Sequence, residues 1–154
     1  MPITASTEPN NRRQRVRGEC RTSTIFNPTS LGKALGQYSQ VARVRASEFV
    51  FIAGQVATDV SGEILGAGDF EAQCVRVFAN IKAALDSVGG NWSNIVQFTT
   101  YLVHSQDIAK LMTYRGREFP KMFPNGAYPP NTLLIVDRLV QEPFLIEVQA
   151  IAAL

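Results

Sequence analysis

The stretch FLIEVQAIAA, Phe144–Ala153, decides the fold. It is rich in apolar and β-branched residues, holds no Gly or Pro, and reads as a strand. Strand side chains alternate between faces, so Phe144, Ile146, Val148, Ala150 and Ala152 point one way and Leu145, Glu147, Gln149 and Ile151 the other. The first set is uniformly apolar. The second mixes apolar groups with a carboxylate and an amide. IVQFTTYLV, Ile95–Val103, repeats the pattern: Gln97, Thr99 and Tyr101 alternate with Val96, Phe98 and Leu102. Two such strands predict a sheet with helices on one side. A half-apolar second face is not left bare in water, and packing against other copies of the chain is the simplest way to cover it. Its polar groups must then be paired or serve a ligand.

The remaining elements follow outward from these strands. YSQVARV and FVFIAGQV, the second starting at Phe49, are β-rich runs separated by a short break, and they predict a hairpin. TDVSGEILGAGD is turn-rich, and Asp69 is placed to cap a helix. Behind it Phe70, Cys74, Val77, Phe78, Ile81, Leu85 and Val88 fall at helical spacing until Gly89-Gly90 stops them. After the Ile95 strand, Ser105 is expected to cap a second helix, with Ile108, Leu111, Met112 and Phe119 on one stripe and Pro120 ending or kinking it. TLLIVDRL, starting at Thr132, reads as a strand joined by the polar link VQEP to the final one. The order β-β-α-β-α-β-β, with two helices on one face of the sheet, is an α+β arrangement.

At 154 residues with 18% charged and 45% hydrophobic residues, the composition is that of a globular domain. The net charge of +2 misleads, because Arg12, Arg13, Arg15, Arg17 and Arg21 all lie in the first 22 residues. Without that segment the balance is slightly acidic, which disfavours a basic nucleic-acid platform and, with it, an RNA-binding or ribonuclease role. Residues 1–24 are expected to be a disordered Arg-rich tail and residues 25–154 one domain. There is no membrane-length apolar run and no secretory leader pattern, and Cys20 and Cys74 do not make a disulfide framework, so a cytoplasmic location is expected. The single histidine, His104, and the absence of zinc-ligand spacings argue against a metal site.

Five segments, in the same order, carry a resemblance: GQYSQ at Gly36–Gln40, FIAGQV at Phe51–Val56, GEI at Gly62–Ile64, YPPNTLLIVDRL at Tyr128–Leu139 and IEVQAIA at Ile146–Ala152. Together they resemble the RidA/YjgF/UK114 family, the reactive-intermediate imine deaminases. The resemblance implies a chorismate-mutase-like fold, a homotrimer with ligand clefts between subunits, and hydrolysis of enamines and imines to a 2-oxo acid and ammonia without a cofactor. It assigns a cleft-lining tyrosine to Tyr38 and a water-positioning glutamate to Glu147. The family's carboxylate-gripping arginine falls on Asn131, beside Thr132, and these two are the expected substrate contacts with Tyr38. Arg138 also matches a common family arginine, but farther along the strand, and reads as structural.

Losing an Arg–carboxylate fork matters. A hydrogen bond to a charged group contributes about 1.5–3 kcal/mol, so a neutral amide costs about 10- to 100-fold in transition-state binding. Restoring it by Asn131→Arg is then expected to raise activity. The sequence offers Arg115, Arg117, Arg43 and Arg45 as possible substitutes, without placing any of them in the cleft. Two readings remain in front: an imine or enamine hydrolase with altered or reduced activity, and a trimeric small-molecule binding protein without turnover.

Overall fold

The computed structural model describes residues 21–154. The chain forms strands β1 (Thr22–Phe26), β2 (Val41–Arg45) and β3 (Phe49–Gln55), helix α1 (Phe70–Ser87), strand β4 (Ile95–Leu102), helix α2 (Ile108–Met122), and strands β5 (Asn131–Ile135) and β6 (Ile146–Ala153). A four-stranded sheet has the order β3-β6-β4-β5, with β6 antiparallel to both β3 and β4 and β5 parallel to β4. The sheet is therefore mixed, and with its two helices it is the α+β architecture expected from the element string. Among the described residues, no helix is long and apolar enough to cross a membrane.

One face of β6 carries Ile146, Val148, Ala150 and Ala152, all buried, against Phe98 and Leu102 of β4 and Ile52 of β3. Helix α1 lays Phe70, Cys74, Val77, Phe78, Ile81 and Leu85 onto this face, and α2 adds Leu111, Tyr114 and Phe119. Phe78 is the hub. Its ring stacks on Tyr114 with centroids 5.4 Å apart and meets Phe98 and Phe119 edge-on at 6.0 and 5.5 Å. Asp69 caps α1 as expected, its carboxylate accepting from the Ala72 amide at 3.0 Å. Val88, expected on the buried stripe, instead follows the helix end and is half exposed, and Gly89 turns the chain with φ +72°.

Several expectations need correction. Strands β2 and β3 do not form a hairpin. β2 pairs with β1, Thr22 opposite Arg45 through Phe26 opposite Val41, while β3 pairs with β6. The hairpin signal is local, but β3 carries Ile52 into the helix-covered core, and only β6 continues that apolar layer. β2, with Arg43 and Arg45 exposed, belongs to a separate two-stranded ribbon. The boundary expected between residues 24 and 25 falls inside β1; the rest of the expected tail lies outside the described residues. β5 stops at Ile135, not Leu139, because its partner β4 ends at Leu102, whose carbonyl takes a last bond from the Val136 amide at 2.8 Å. Ser105 does not cap α2. It opens a 3₁₀ turn, Ser105–Asp107, and the buried Asp107 at the cap position binds Lys110 at 2.8 Å instead. α2 runs past Pro120 to Met122.

Candidate functional site

Adjacent strand residues face opposite ways, and β5 divides its two candidate ligand contacts on that rule. Asn131 pairs with Phe98 and turns to the helix-bearing side, where its Oδ1 accepts from the buried Thr100 hydroxyl at 2.8 Å. Thr132 pairs with Thr99 on the open side and lines a shallow groove with Phe49, Phe51, Gln97 and Ile151. The expected pair of contacts is thus split across the sheet.

Asn131 and Tyr38 do come together. They line one cavity of about 330 Å³, walled by residues 35–38 on one side and by Ile108 and Met112 of α2 and Leu133 of β5 on the other. Gly36 makes the close approach possible: a Cβ there would stand 3.3 Å from the Met112 sulfur. The Tyr38 hydroxyl lies 3.5 Å from the Leu35 amide, which leaves it available to a ligand.

Arg115 forms the floor of this cavity. It is 1% exposed, the largest fully buried side chain among the described residues. Its Nη2 donates to Thr100 Oγ1 at 2.8 Å and to Asn131 Oδ1 at 3.0 Å, and its guanidinium carbon lies 5.2 Å from the centre of the Phe119 ring. Burial lowers its pKa to about 10, so it remains a cation at neutral pH. A guanidinium only donates, which fixes the Asn131 amide with its oxygen toward Arg115 and its NH₂ group turned away. A positive charge from α2 thus lies against the Asn131 side chain. The other substitutes lie elsewhere. Arg117 is held by Glu71 and Glu118, and Arg43 and Arg45 are exposed on β2. Arg138 makes a surface pair with Glu142 at 3.2 Å.

The sequence held a signal for Arg115. Leu111, Arg115 and Phe119 recur at helical spacing on one apolar stripe, and an arginine in such a stripe is buried unless it snorkels out. An Asn131→Arg substitution would now bring two guanidinium groups together, so the gain expected from the sequence alone no longer follows.

Glu147 is on the open face, opposite Tyr101 of β4. The register shift between Ile52 and Gln55 brings Gly54 beneath it, and a Cβ at Gly54 would fall 1.8 Å from Glu147 Oε1. Burial raises the Glu147 pKa from its ordinary value. Around it the open face shows Phe49 at 47%, Phe51 at 75% and Leu134 at 43% exposed. Within one chain, Glu147 and Thr132 are thus separated from Tyr38 and Asn131 by the thickness of the sheet.

Comparison with known proteins agrees with this architecture. The endoribonuclease L-PSP family matches residues 29–154. A RutC family protein of Pyrococcus abyssi is 36% identical over 121 residues, covering 78% of this chain and 88% of that one. A RutC family protein of Synechocystis is 30% identical, covering 86% and 98%. Among solved structures, the protein YyfB of the conserved Rid family from Yersinia pestis superposes with a TM-score of 0.76 at 27% identity, covering 86% of this chain and 98% of that one. The chain belongs to this family, the RidA/YjgF or L-PSP group, as the five sequence segments had implied.

Proposed function

We propose that the protein is a cofactor-free hydrolase of imines or enamines of the 2-imino acid kind, working in the cytoplasm as a homotrimer with clefts between subunits. The reading is carried by one observation: Tyr38 and Asn131 line a single cavity whose floor is the Arg115 guanidinium. An enamine first takes a proton on carbon to become an imine. Water then adds to the C=N carbon and one of its protons passes to nitrogen, giving a carbinolamine; the hydroxyl proton follows to nitrogen as the C–N bond breaks, so ammonia leaves and a carbonyl product remains. Glu147, whose pKa burial raises, is suited to orienting that water and exchanging its proton. It can do so only from a neighbouring copy, whose open face would wall the cavity. Asn131 in place of the family arginine, with the charge set deeper, favours activity altered or reduced relative to arginine-bearing members.

Two experiments test this reading. Imines generated from amino acids by an amino acid oxidase should disappear, with ammonia release, faster with the protein than in buffer. Light scattering should give a trimer at micromolar concentration; a monomer would remove the cleft. A second reading is favoured by the separation of Glu147 from Tyr38 and Asn131 across the sheet. In that case the trimer binds a small molecule without turnover, and imine consumption stays at the buffer rate while ligand binding persists.

A further inference from the structure

We propose that Asn125-Gly126, in the turn between α2 and β5, is a self-modification site, at which the folded chain converts an asparagine to aspartate and isoaspartate with water as the only co-reactant. The inference goes beyond the proposed function and does not rest on it.

The chemistry needs a nucleophile, a carbonyl within its reach and room for both. The Gly126 amide nitrogen, once its proton has gone to hydroxide, attacks Asn125 Cγ. The bond from Cγ to the side-chain nitrogen breaks, that nitrogen takes a proton from water, and ammonia leaves behind a cyclic succinimide. Water then opens the ring. Cleavage between the Gly126 nitrogen and Cγ gives aspartate. Cleavage between the same nitrogen and the Asn125 main-chain carbonyl carbon gives isoaspartate, whose main chain is longer by one carbon. The sum is amide and water to acid and ammonia, with nothing oxidised or reduced.

Sequence and structure single out this asparagine. Asn125 is the only asparagine of the chain followed by glycine. Both residues are exposed, and a Cβ built on Gly126 would meet nothing within 4 Å, so the attacking nitrogen is uncrowded. Asn125 Oδ1 accepts from the Ala127 amide at 3.1 Å, which folds the side chain back along the Gly126 peptide and polarises the carbonyl under attack. One bond opposes the reaction: the Gly126 amide donates to the Phe123 carbonyl at 2.9 Å. It is a single turn bond at the surface, which opens far more readily than a helix or strand. The other described asparagines are held. Asn80 in α1 donates to the Val56 and Thr58 carbonyls, Asn94 donates to the Ala153 carbonyl, and Asn131 is fixed by Thr100 and Arg115. Each of these three precedes a β-branched residue. Asn91 closes a capping box ahead of Trp92, and Asn27 precedes Pro28, whose nitrogen has no proton to lose. The product is also tolerated where it forms. Asn125 lines a cavity of about 220 Å³ together with Ser23 and Ser93, and the Arg21 guanidinium is tied to both serines.

The test incubates the full-length protein in mildly acidic and mildly alkaline buffer. Peptide mass spectrometry follows the exchange of amide for acid, and methyl transfer by a protein isoaspartyl methyltransferase marks isoaspartate but not aspartate. The peptide that holds Asn125 should gain both signals. Its conversion should run at least about 10-fold faster than that of the peptides holding Asn80, Asn94 or Asn131, because a helix or strand must open before those residues react. The rate should rise with pH, since the nucleophile is the deprotonated amide. Asn125→Gln would need a larger, slower ring to form. It should stay unmodified and melt as wild type does, because the side chain is exposed. The proposal is overturned if the Asn125 peptide keeps its amide in alkaline buffer, if Asn80, Asn94 or Asn131 converts as fast, or if the same peptide of Asn125→Gln takes up the methyl label.

Discussion

Glu147→Gln is expected to lower imine hydrolysis by about 100- to 10,000-fold, the range over which a positioned acid–base group acts, and to leave the fold more stable at neutral pH. Both parts follow from its place on β6. The side chain lies over the backbone of Gly54, and burial holds its pKa above the ordinary value. The folded chain therefore keeps the proton to higher pH than the unfolded chain does. Stability then declines as pH rises through the carboxylate range, because the unfolded state is the first to release the proton. Glutamine keeps the volume and removes the titration. The variant's advantage in thermal melts should be present at pH 7, shrink as pH falls through the raised pKa of folded Glu147, and be gone by about pH 4, the ordinary glutamate value. Gly54→Ala offers a second route to the same atoms. A methyl there collides with the flexible end of Glu147, so the carboxylate must swing away while the strand stays. Activity should fall as it does for Glu147→Gln. Turnover at wild-type rate in both variants would make the glutamate purely structural and remove it from the proposed chemistry.

Phe78→Ala is expected to cost about 3–5 kcal/mol of unfolding free energy, the range for truncating a buried phenylalanine. Its ring is 2% exposed and touches Trp92, Phe98, Tyr114 and Phe119, so four aromatic contacts are lost and the rigid neighbours cannot close the hole. Phe51→Ala is the matched control. That ring, on the open face, is 75% exposed within the chain. Its removal should leave the unfolding free energy of an isolated chain almost unchanged, and its effect should appear instead as weaker association between copies. Urea melts at several protein concentrations separate the two behaviours. A loss below about 1 kcal/mol for Phe78→Ala would mean that the core relaxes around the missing ring.

What could be read from the sequence follows the range of the interactions involved. Helix α1 was legible because its buried residues recur within a few positions of one another, from Phe70 to Leu85, and Asp69 and Gly89 mark its ends locally. The clean face of β6 was legible because alternation needs only its own residues. Partner choice was not. Whether β3 takes β2 or β6 depends on a strand that lies about a hundred positions away, and no local pattern in FVFIAGQV carries that information. At the site, Tyr38 and Asn131 line one cavity of the chain, across a sequence separation that no local pattern reports. The split of Asn131 from Thr132 was there to be read, since neighbours on a strand face opposite sides. The role of Arg115 was half legible: its spacing with Leu111 and Phe119 places it inward, but only the packed fold brings it to Thr100 and Asn131.

The order β3-β6-β4-β5 also bears on how the chain is made. β6 is the last of the four strands to leave the ribosome, yet it lies between β3 and β4 and is the only strand that joins them. Until Ile146–Ala153 emerges, β3 has no neighbour in this sheet, and Phe98 and Ile52 have no common layer to close. The nascent polypeptide can build α1 and the β4-α2-β5 unit early, but it must hold an unzipped gap open for its final segment. Chaperone demand should therefore peak late in translation, and a ribosome stalled just short of Ile146 should display two unpaired strand edges rather than a smaller stable fold.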